Sequence, residues 1–283
     1  ANGFNKTSKG KDTILYYDKY KKSTPLTEVL KKSEFIFIAL PTPMKTDESG
    51  IDLSIIEDTV GQITKYTDNT DKIIIIKSTV TPGTTARLEK KYPRSHFAFN
   101  PEFFTEANYL EDFLNAERTV IGSNNDLVSR RLNIIYKEHF PKTNIFQTDP
   151  TTAETVKYFT NSYLALKVTF ANFFFDYCQE IGIKYEEAKR IAAADPRIVD
   201  SHLDITTARG FGQKCLPKDL VALIGEFKKY KVNAGLFETI WQFNKKIRKN
   251  HDWKEVPFAV SGNHKKNLKP KNNHKSLNRL IYS

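Results

Sequence analysis

The first half of the chain alternates short runs rich in β-branched and aromatic residues with amphipathic stretches at helical spacing. The runs predict strands over Thr13–Asp18, Glu34–Leu40, Lys72–Ser78, His96–Asn100, Arg118–Gly122 and Asn144–Thr148. The stretches between them predict helices over Leu26–Lys32, Leu53–Tyr66, Gly83–Lys91, Ala107–Leu114 and Asp126–His139. This alternation is typical of a doubly wound α/β domain, in which helices cover a parallel sheet.

After Asp149 the pattern becomes helical. Thr151–Glu154 matches a capping box, and apolar residues then recur at helical spacing as far as Ile181, with Gly182 as a stop signal. A helix this long and apolar, over residues 151–182, is expected to bridge two domains or to pack on a second subunit. The rest of the chain predicts helices over Tyr185–Ala194, Lys218–Lys229 and Ala234–Lys249, and a strand over Val256–Ser261. An all-α middle domain is therefore predicted.

The first predicted strand ends in an acid, Asp18. In a Rossmann-like dinucleotide fold, an acid at this place accepts hydrogen bonds from the adenosine ribose hydroxyls. A glycine-rich phosphate turn normally precedes that acid by about 20 residues, and the residues before Asp18 contain no such turn. Residues 1–6 instead predict the last turn of a helix, so the opening strand and the phosphate loop are expected upstream.

Composition is that of a globular protein. With 283 residues, 39% hydrophobic and 12% aromatic, the chain can form one large or two ordinary domains. The apolar runs Phe35–Leu40 and Ile73–Ile76 are far shorter than the roughly 20 residues that cross a bilayer, so a cytoplasmic protein without membrane contact is expected. The two cysteines are not near another Cys or a paired His, which predicts neither a disulfide framework nor a metal site.

The net charge of +11 is concentrated at one end of the chain. The segment Phe227–Ser283 holds 14 Lys or Arg against 3 Asp or Glu, which leaves 30 against 30 from the totals of 44 and 33. The excess belongs to one helix end and to the polar run Gly262–Lys275, for which a solvated tail is the preferred interpretation and a specific nucleic-acid arm is the alternative.

The stretch Gly210–Asp219 offers one thiol in a position suited to chemistry. Cys215 follows a Gly-x-Gly run and precedes Pro217, which fits the first turn of the predicted helix. The unpaired N–H groups of a helix start and the two nearby lysines favour the thiolate. Cys215 is therefore a candidate nucleophile, although the pattern taken alone equally fits a small apolar residue at a helix start. Cys178 lies on an apolar helix, where a thiol is usually inert.

Other polar residues are spaced for catalysis. Lys157 and Asn161 are four residues apart and share a helix face, so they could bind an oxyanion or simply form a solvated face. Glu102 and Glu106 follow a strand end, where ligands bind in α/β sheets. One of them could act as a general base for water, while Glu106 could equally be a favourable acid at a helix start.

Taken together, these segments resemble the UDP-glucose/GDP-mannose dehydrogenase family over roughly residues 11–250. The matching segments are Pro41–Pro43 with Gly50–Ser54; Lys77–Thr84; Asn100–Glu106 continuing to Asp112, Phe113 and Arg118; Ala153–Lys157 with Asn161; Asp195–Ile198; and Gly210–Asp219. Each segment alone is a weak signal, whereas their common order and spacing are specific.

The resemblance implies an enzyme that oxidises the C6 alcohol of a nucleotide sugar to a carboxylate, using two NAD⁺ and no metal. Cys215 matches the nucleophile that captures the aldehyde as a thiohemiacetal and then carries a thioester. Glu102 matches the base for hydrolysis, and Lys157, Asn161 and Asp219 match the groups that hold the oxyanion and the water. UDP-glucose is the first expectation for the substrate, followed by UDP-N-acetylhexosamines and GDP-mannose.

Further positions match cofactor and substrate contacts of the family. Those that match NAD contacts are Asp18, Thr42, Thr79, Glu106 and Lys218. Those that match substrate contacts are Glu102, Lys157, Asn161, Gly212 and the run Asp204–Ala208, with Arg197 matching an arginine that reaches across a dimer. A homodimer through the 151–182 helix is expected, with a nucleotide-sugar substrate and no specific nucleic-acid partner.

The resemblance also implies a domain order. An NAD-binding Rossmann-like domain is expected over residues 1–149, a helical middle and dimerisation domain over 150–250, and a remnant of a C-terminal nucleotide-sugar-binding domain over 251–283. The chain departs from the family in lacking the phosphate loop, in this reduced C-terminal domain, and in having Gln213 where a second glycine is usual. Two functions are therefore open: a working NAD-dependent dehydrogenase, and a truncated, non-catalytic relative that binds a nucleotide or dimerises.

Overall fold

The computed structural model describes residues 2–8, 11–104 and 108–262, which form two compact units. Among the described residues, the first unit contains those up to Thr42 and Leu53–Lys157, and the second contains Pro43–Asp52 and residues 158–262. One long helix, Pro150–Glu180, contributes residues to both units. Most of the predicted basic tail lies outside the described residues, and the predicted domain boundaries stay a prediction.

The first unit alternates strands with helices. Its strands are β1 (Phe35–Ile38), β2 (Ile73–Ile76), β3 (His96–Phe99), β4 (Arg118–Gly122) and β5 (Asn144–Thr148). Its helices are α1 (Asn2–Ser8), α2 (Leu26–Lys32), α3 (Ser54–Thr67), α4 (Thr84–Lys91), α5 (Tyr109–Leu114) and α6 (Asp126–His139), and it contains the start of α7 (Pro150–Glu180). The prediction of a Rossmann-like α/β fold followed by a long helix and a helical second half is confirmed.

The five strands form one sheet in the order β1-β2-β3-β4-β5. Strands β1, β2 and β3 are parallel, as are β4 and β5, but β4 runs antiparallel to β3. The predicted parallel pairing is therefore wrong between β3 and β4. Among the described residues of the β3–β4 connection the helix is the six-residue α5, much shorter than the helices that usually form a crossover between parallel strands.

Both faces of this sheet are buried. In β2, Ile74 and Ile76 pack into a core with residues of α2, α3 and α4, whereas Ile73 and Ile75 pack into a second core with residues of α1 and α6. Successive side chains of a strand point to opposite faces, so four consecutive isoleucines can serve both cores. This burial on two sides explains why β2 is a continuous apolar run rather than an alternating one.

The segment Thr13–Asp18, predicted as a strand, is not one. An extended segment becomes a strand only through backbone hydrogen bonds to a neighbouring strand, and no described residue pairs with it in the sheet. Its own bonds instead close a local loop, with Thr24 N–H donating to the Tyr16 carbonyl at 3.2 Å and Tyr20 N–H donating to the Asp18 carboxylate at 2.8 Å.

The start of α7 differs from the predicted capping box. Asp149 caps the helix by accepting a hydrogen bond from Thr152 N–H at 2.9 Å, and Pro150 occupies the first helical position. Glu154, which a capping box would direct back to the helix start, instead accepts hydrogen bonds from residues of another segment. The capping-box prediction is therefore wrong because a tertiary partner competes successfully for that carboxylate.

The second unit is mainly helical. Besides most of α7 it contains α8 (Tyr185–Ala192), α9 (Cys215–Lys229), α10 (Gly235–Ile247) and one turn of 3₁₀ helix at Asp252–Lys254. Its main core combines α7, α9 and α10 with aromatic side chains, including Phe211, Trp241 and Trp253. Helix α9 starts three residues before the predicted Lys218, so Cys215 is a residue of the helix itself.

Val256–Ser261, predicted as a strand, contains only one isolated bridge. Val260 pairs with Met44, and the backbone of Met44 exchanges hydrogen bonds with Ala259 and Ser261 at 2.9 and 2.8 Å. A partner of one residue cannot extend a ladder, so the segment remains a turn. Separately, none of the described helices combines the length and apolar character needed to cross a membrane.

Candidate active site

Glu102 lies in the first unit, in the loop after β3, at the carboxyl edge of the parallel strands. The preceding Asn100 is fully buried and donates from Nδ2 to the Val120 carbonyl at 2.7 Å. Lys77 follows β2 at the same edge, where its Nζ donates to Asn100 Oδ1 at 2.9 Å and lies 3.5 Å from Glu102 Oε1. The sheet therefore places a partly exposed carboxylate beside a buried ammonium group.

Lys157 belongs to the same group of residues. Its Nζ donates to the backbone carbonyl of Glu102 at 2.5 Å and lies 5.5 Å from the centroid of the Phe103 ring. Both Lys157 and Asn161 are buried, so the alternative of a solvated helix face is wrong. Residue 102 is thus held at its backbone by one lysine and at its side chain by another.

Glu154, one turn before Lys157 on α7, is completely buried. Its carboxylate accepts hydrogen bonds from Gly83 N–H at 2.6 Å, Thr85 N–H at 2.8 Å and Thr85 Oγ1 at 2.6 Å. Burial raises the pKa of Glu154 to about 7, against the opposing effect of these donors. The sequence pattern did not show this role, because the donors are about 70 residues away in the chain.

The residues predicted to contact NAD in this unit lie just after a strand or an extended segment. Thr42, after β1, is buried, and Thr79, after β2, is half-buried. Asp18 ends the extended segment before a turn, and Glu106 lies outside the described residues. Hydroxyls at the carboxyl edge of an open α/β sheet are groups that a dinucleotide uses there, so Thr42 and Thr79 fit NAD.

In the second unit, Cys215 is the first residue of α9 and is partly exposed. Asp219 lies one turn further along the helix and is buried, and its two carboxylate oxygens accept hydrogen bonds of 2.5 Å from Asn161 Nδ2 and Lys218 Nζ. Lys218 and Asn161 are buried as well. The thiol therefore lies at a helix start, one turn before a buried carboxylate whose two oxygens each accept a hydrogen bond.

The loop before Cys215 is fixed by two residues that the sequence did not reveal. Asn244 on α10 accepts from Phe211 N–H at 2.8 Å and donates to the Phe211 carbonyl at 2.9 Å, while Arg248 donates to the Gly210 carbonyl at 3.2 Å. A Cβ at Gly210 would lie 2.3 Å from Asn244 Oδ1, and one at Gly212 would lie 2.2 Å from the Arg248 guanidinium. The Gly-x-Gly pattern thus reflects close approach to α10, a signal that local spacing cannot assign to a partner.

Gln213 has a φ of 61°, in the left-handed region that glycine adopts without strain. Its side chain is exposed. The departure noted in the sequence therefore falls at a position whose backbone conformation favours the glycine that is usual in the family.

The predicted substrate-contacting residues of the preceding loop have local partners. Arg197 is highly exposed and pairs with Asp195 at 2.6 Å, two residues earlier. Asp204 is exposed and pairs with Lys189 of α8. Ala208 is half-buried, and its carbonyl accepts from Lys249 N–H at 3.3 Å. None of these described contacts links Arg197 or Asp204 to Cys215, and their predicted substrate roles stay predictions.

Cys178 differs from Cys215 in its surroundings. It is buried in a small core with Ala171 and Tyr185. A thiol enclosed in apolar surroundings is usually unreactive.

Dinucleotide-dependent dehydrogenases are the class that this fold and these edge residues define, because the polar groups suited to a dinucleotide stand at the carboxyl edge of a Rossmann-like sheet. Within that class, the chain belongs to the UDP-glucose/GDP-mannose dehydrogenase family. The family's NAD binding domain matches residues 12–140, and its central domain matches residues 151–246.

Curated relatives are similar over most of this chain. A UDP-glucose 6-dehydrogenase of Rickettsia bellii is 34% identical over 239 residues, which are 82% of this chain and 54% of the relative. A UDP-glucose 6-dehydrogenase of Bacillus subtilis is 31% identical over 232 residues, which are 79% of this chain and 49% of the relative. The chain therefore spans about half the length of the curated relatives that it matches.

Solved structures agree with this assignment. A UDP-glucose dehydrogenase of Pyrobaculum islandicum matches with a TM-score of 0.70 at 28% identity, over 77% of this chain and 52% of that protein. A UDP-D-ManNAc dehydrogenase of Pyrococcus horikoshii matches with a TM-score of 0.68 at 27% identity, over 79% of this chain and 53% of that protein.

Proposed function

We propose that this chain carries out the NAD-dependent oxidation of the C6 alcohol of a nucleotide sugar to a carboxylate, with UDP-glucose as the substrate. The observation that carries the proposal is the position of Cys215 at the start of α9, one turn before a buried Asp219 that Asn161 and Lys218 both engage. The curated relatives support UDP-glucose as the first choice, since they are UDP-glucose 6-dehydrogenases.

In the proposed reaction, Cys215 is the nucleophile. The sugar alcohol loses a proton and a hydride to become an aldehyde, and the Cys215 thiolate adds to the aldehyde carbon. This addition gives the oxyanion of a thiohemiacetal, and loss of a second hydride from it gives a thioester, so that the aldehyde never leaves the protein. NAD⁺, when bound, accepts the hydride in each oxidation. Water then attacks the thioester carbonyl, and the thiolate leaves to regenerate Cys215.

The remaining residues act as a general base, stabilise the oxyanion and orient the groups that do so. Glu102 takes the proton from the attacking water, because it is a carboxylate that is partly exposed and held in place. Lys157 and Asn161 stabilise the oxyanion that forms when either nucleophile adds to a carbonyl. Asp219 orients the Asn161 amide, since it accepts from Asn161 Nδ2, and holds the water.

The cofactor and substrate contacts follow the family resemblance. Asp18, Thr42, Thr79 and Glu106, together with Lys218, are proposed to hold NAD. Arg197, Asp204, Ala208 and Gly212 are proposed to contact the nucleotide sugar, with Arg197 acting across a dimer. The chemistry of these groups suits the assignment, because hydroxyls, carboxylates and backbone N–H groups bind ribose and sugar hydroxyls while cations bind phosphate.

A homodimer through α7 is part of the proposal. This helix exposes a stripe of large aromatic side chains that a monomer would leave in water, including Phe159 at 73% exposure and Phe170 at 55%. Other exposed members of the stripe are Tyr163, Phe173, Phe174 and Tyr177. Apolar surface of this kind marks association sites, and replacement of Phe170 by Lys should convert a dimer to a monomer in sedimentation analysis.

The alternative function is a non-catalytic relative that binds a nucleotide or dimerises. The observation that favours it is Gln213, whose side chain projects from a left-handed position where the family usually has glycine. A side chain at this point could keep the sugar from approaching the Cys215 loop, while leaving the nucleotide contacts intact.

One experiment separates the two functions. The chain is mixed with UDP-glucose and NAD⁺, and NADH formation is followed by absorbance while UDP-glucose binding is measured by calorimetry. We expect two NADH per sugar oxidised, a loss of at least about 100-fold in Cys215→Ser, and binding that persists in that variant. Binding without NADH formation in the wild-type chain would favour the non-catalytic alternative.

A further inference from the structure

Lys77 is a buried cation next to an apolar part of the sheet. Only 9% of its side chain is exposed, and it follows the all-isoleucine strand β2. Its backbone N–H donates to the Ile38 carbonyl at 2.9 Å, which fixes where the side chain begins. An ammonium group taken out of water costs several kcal/mol unless it is well paired, so its partners indicate what it is for.

The partners of the Lys77 ammonium are two neutral acceptors and one anion. Nζ donates to Asn100 Oδ1 at 2.9 Å and to the Asn100 carbonyl at 3.3 Å, and it lies 3.5 Å from Glu102 Oε1. Burial alone would lower the pKa of Lys77, but Tyr136 and Glu102 together hold that pKa above its ordinary value. Lys77 therefore remains charged at neutral pH, with Glu102 as its anionic partner.

The geometry around Lys77 is held in place by further buried groups. Asn100 Oδ1 also accepts a hydrogen bond from the Tyr136 hydroxyl, and Asn100 Nδ2 donates to the Val120 carbonyl at 2.7 Å. A cavity of about 20 Å³ beside Lys77, Asn100 and Tyr136 has room for about one water molecule. The ammonium is thus kept in one position by a network with little access to bulk solvent, which would otherwise screen it.

We infer that Lys77 is a positioning residue for thioester hydrolysis, which fixes the carboxylate of Glu102 so that one oxygen pairs with the cation and the other takes the proton from water. This inference rests on the proposed function. In the step concerned, the water oxygen bonds to the thioester carbon, the carbon–sulfur bond breaks with its electron pair going to Cys215, and the water proton passes to Glu102. No oxidant is consumed, because both hydrides have already left.

The position of Lys77 separates this role from that of Lys157. Lys157 Nζ donates to the backbone carbonyl of Glu102, so it anchors the loop without engaging the carboxylate. Lys77 approaches the carboxylate itself. Loss of Lys77 is therefore expected to slow the one step that needs an oriented base, and to leave the hydride transfers, which come earlier, unchanged.

The test compares Lys77→Met with Lys72→Met in single-turnover experiments. Lys72 is a matched control at the other end of β2, because its Nζ donates only to the carbonyls of Lys31 and Ser33 among its described contacts. We expect Lys77→Met to give the wild-type NADH burst and acid formation slowed about 10- to 100-fold, and Lys72→Met to match the wild type in both. Lys77→Arg, which keeps the charge, should recover part of the lost hydrolysis rate.

A second variant covers the case in which Lys77→Met does not fold. Tyr136→Phe removes only the hydroxyl that helps to hold Asn100, and we expect an unchanged burst with hydrolysis slowed about threefold, since one neutral hydrogen bond is lost. If whichever of Lys77→Met and Tyr136→Phe folds hydrolyses the thioester at the wild-type rate, the role of Lys77 is overturned and the proposed function is not. A wild-type chain that forms no NADH would overturn the proposed function, and the role of Lys77 with it.

Discussion

The Nδ2 of Asn161 donates a hydrogen bond of 2.5 Å to Oδ2 of Asp219, and both side chains are buried in the second unit. The pair joins α7 to the first turns of α9, the helix that begins with Cys215. The second oxygen of Asp219 accepts from Lys218. The start of α9 is thus stabilised by a buried polar network in which removal of one member leaves another without its partner.

This network predicts a large stability loss in Asp219→Asn. The variant leaves the Lys218 ammonium buried without its anion, which should lower the free energy of unfolding by about 3–5 kcal/mol. Urea denaturation measures the loss. The matched control is the double variant Lys218→Met with Asp219→Asn, which removes the orphaned charge and should recover most of that loss. Equal stability of Asp219→Asn and the wild type would contradict the ion-pair argument.

The two cysteines are predicted to differ in reactivity. Cys215 is partly exposed at a helix start, whereas Cys178 is buried among apolar side chains. Competitive alkylation of the folded protein at neutral pH, read by mass spectrometry, should label Cys215 at least about tenfold faster. The same reaction in denaturant is the control and should label both at similar rates. Faster labelling of Cys178 in the folded protein would rule out Cys215 as the activated thiol.

Glu154 predicts a pH dependence of stability. Its pKa in the folded protein is about 7, above the unfolded value of 4.5, because the carboxyl group is completely buried. The folded state therefore binds a proton that the unfolded state has released, so this stabilisation is full below about pH 4.5 and is lost as the pH rises through about 7. Relative to Glu154→Gln, the wild type should lose up to about 3 kcal/mol over that window. The measurement is the free energy of unfolding of both proteins as a function of pH. If it changes in parallel for the two between about pH 4.5 and 7, Glu154 does not titrate in that window.

Backbone strain predicts opposite effects at two positions of the Cys215 loop. Gln213→Gly relieves a left-handed φ of 61°. It should raise the free energy of unfolding by no more than about 1 kcal/mol, because glycine also increases the entropy of the unfolded chain. Gly210→Ala should destabilise by about 2 kcal/mol or more, since its Cβ would lie 2.3 Å from Asn244 Oδ1 at a φ of 52°. Chemical denaturation of both variants checks the order, and a Gly210→Ala variant as stable as Gln213→Gly would contradict it.

Local sequence signals account for much of the fold. Helix α6 has its predicted bounds because Asn125 caps it, accepting from Leu127 N–H at 2.9 Å, and because its apolar residues repeat at helical spacing. Strand β2 was predicted as well, since four buried isoleucines in a row suit a strand covered on both faces. These features depend on neighbours in the chain, which a sequence displays directly.

The features that sequence did not predict depend on distant partners. Glu154 was placed in a capping box because the spacing allowed it, yet Gly83 and Thr85 take its carboxylate. Asn244 showed no pattern at all, although it fixes Phe211 in front of the thiol. Local spacing indicates Cys215, Glu102, Lys157 and Asn161 as candidates, whereas the groups that hold the surrounding segments in place come from distant parts of the chain.

The last prediction concerns the order of the chemical steps. Cys215→Ser should give at most about one NADH per site, because the second oxidation needs the adduct and a serine hydroxyl is a much weaker nucleophile than a thiolate at neutral pH. Glu102→Gln should fail later, since its amide cannot take a proton from water, and should give a burst of about two NADH per site before it stalls. Rapid mixing with UDP-glucose and NAD⁺ separates these outcomes, and the mass of the stalled Glu102→Gln protein should show a sugar-nucleotide adduct on the peptide containing Cys215. Continuous acid production by Cys215→Ser would mean that oxidation needs no covalent capture, because the second hydride would then leave a hydrated aldehyde instead of a thiohemiacetal.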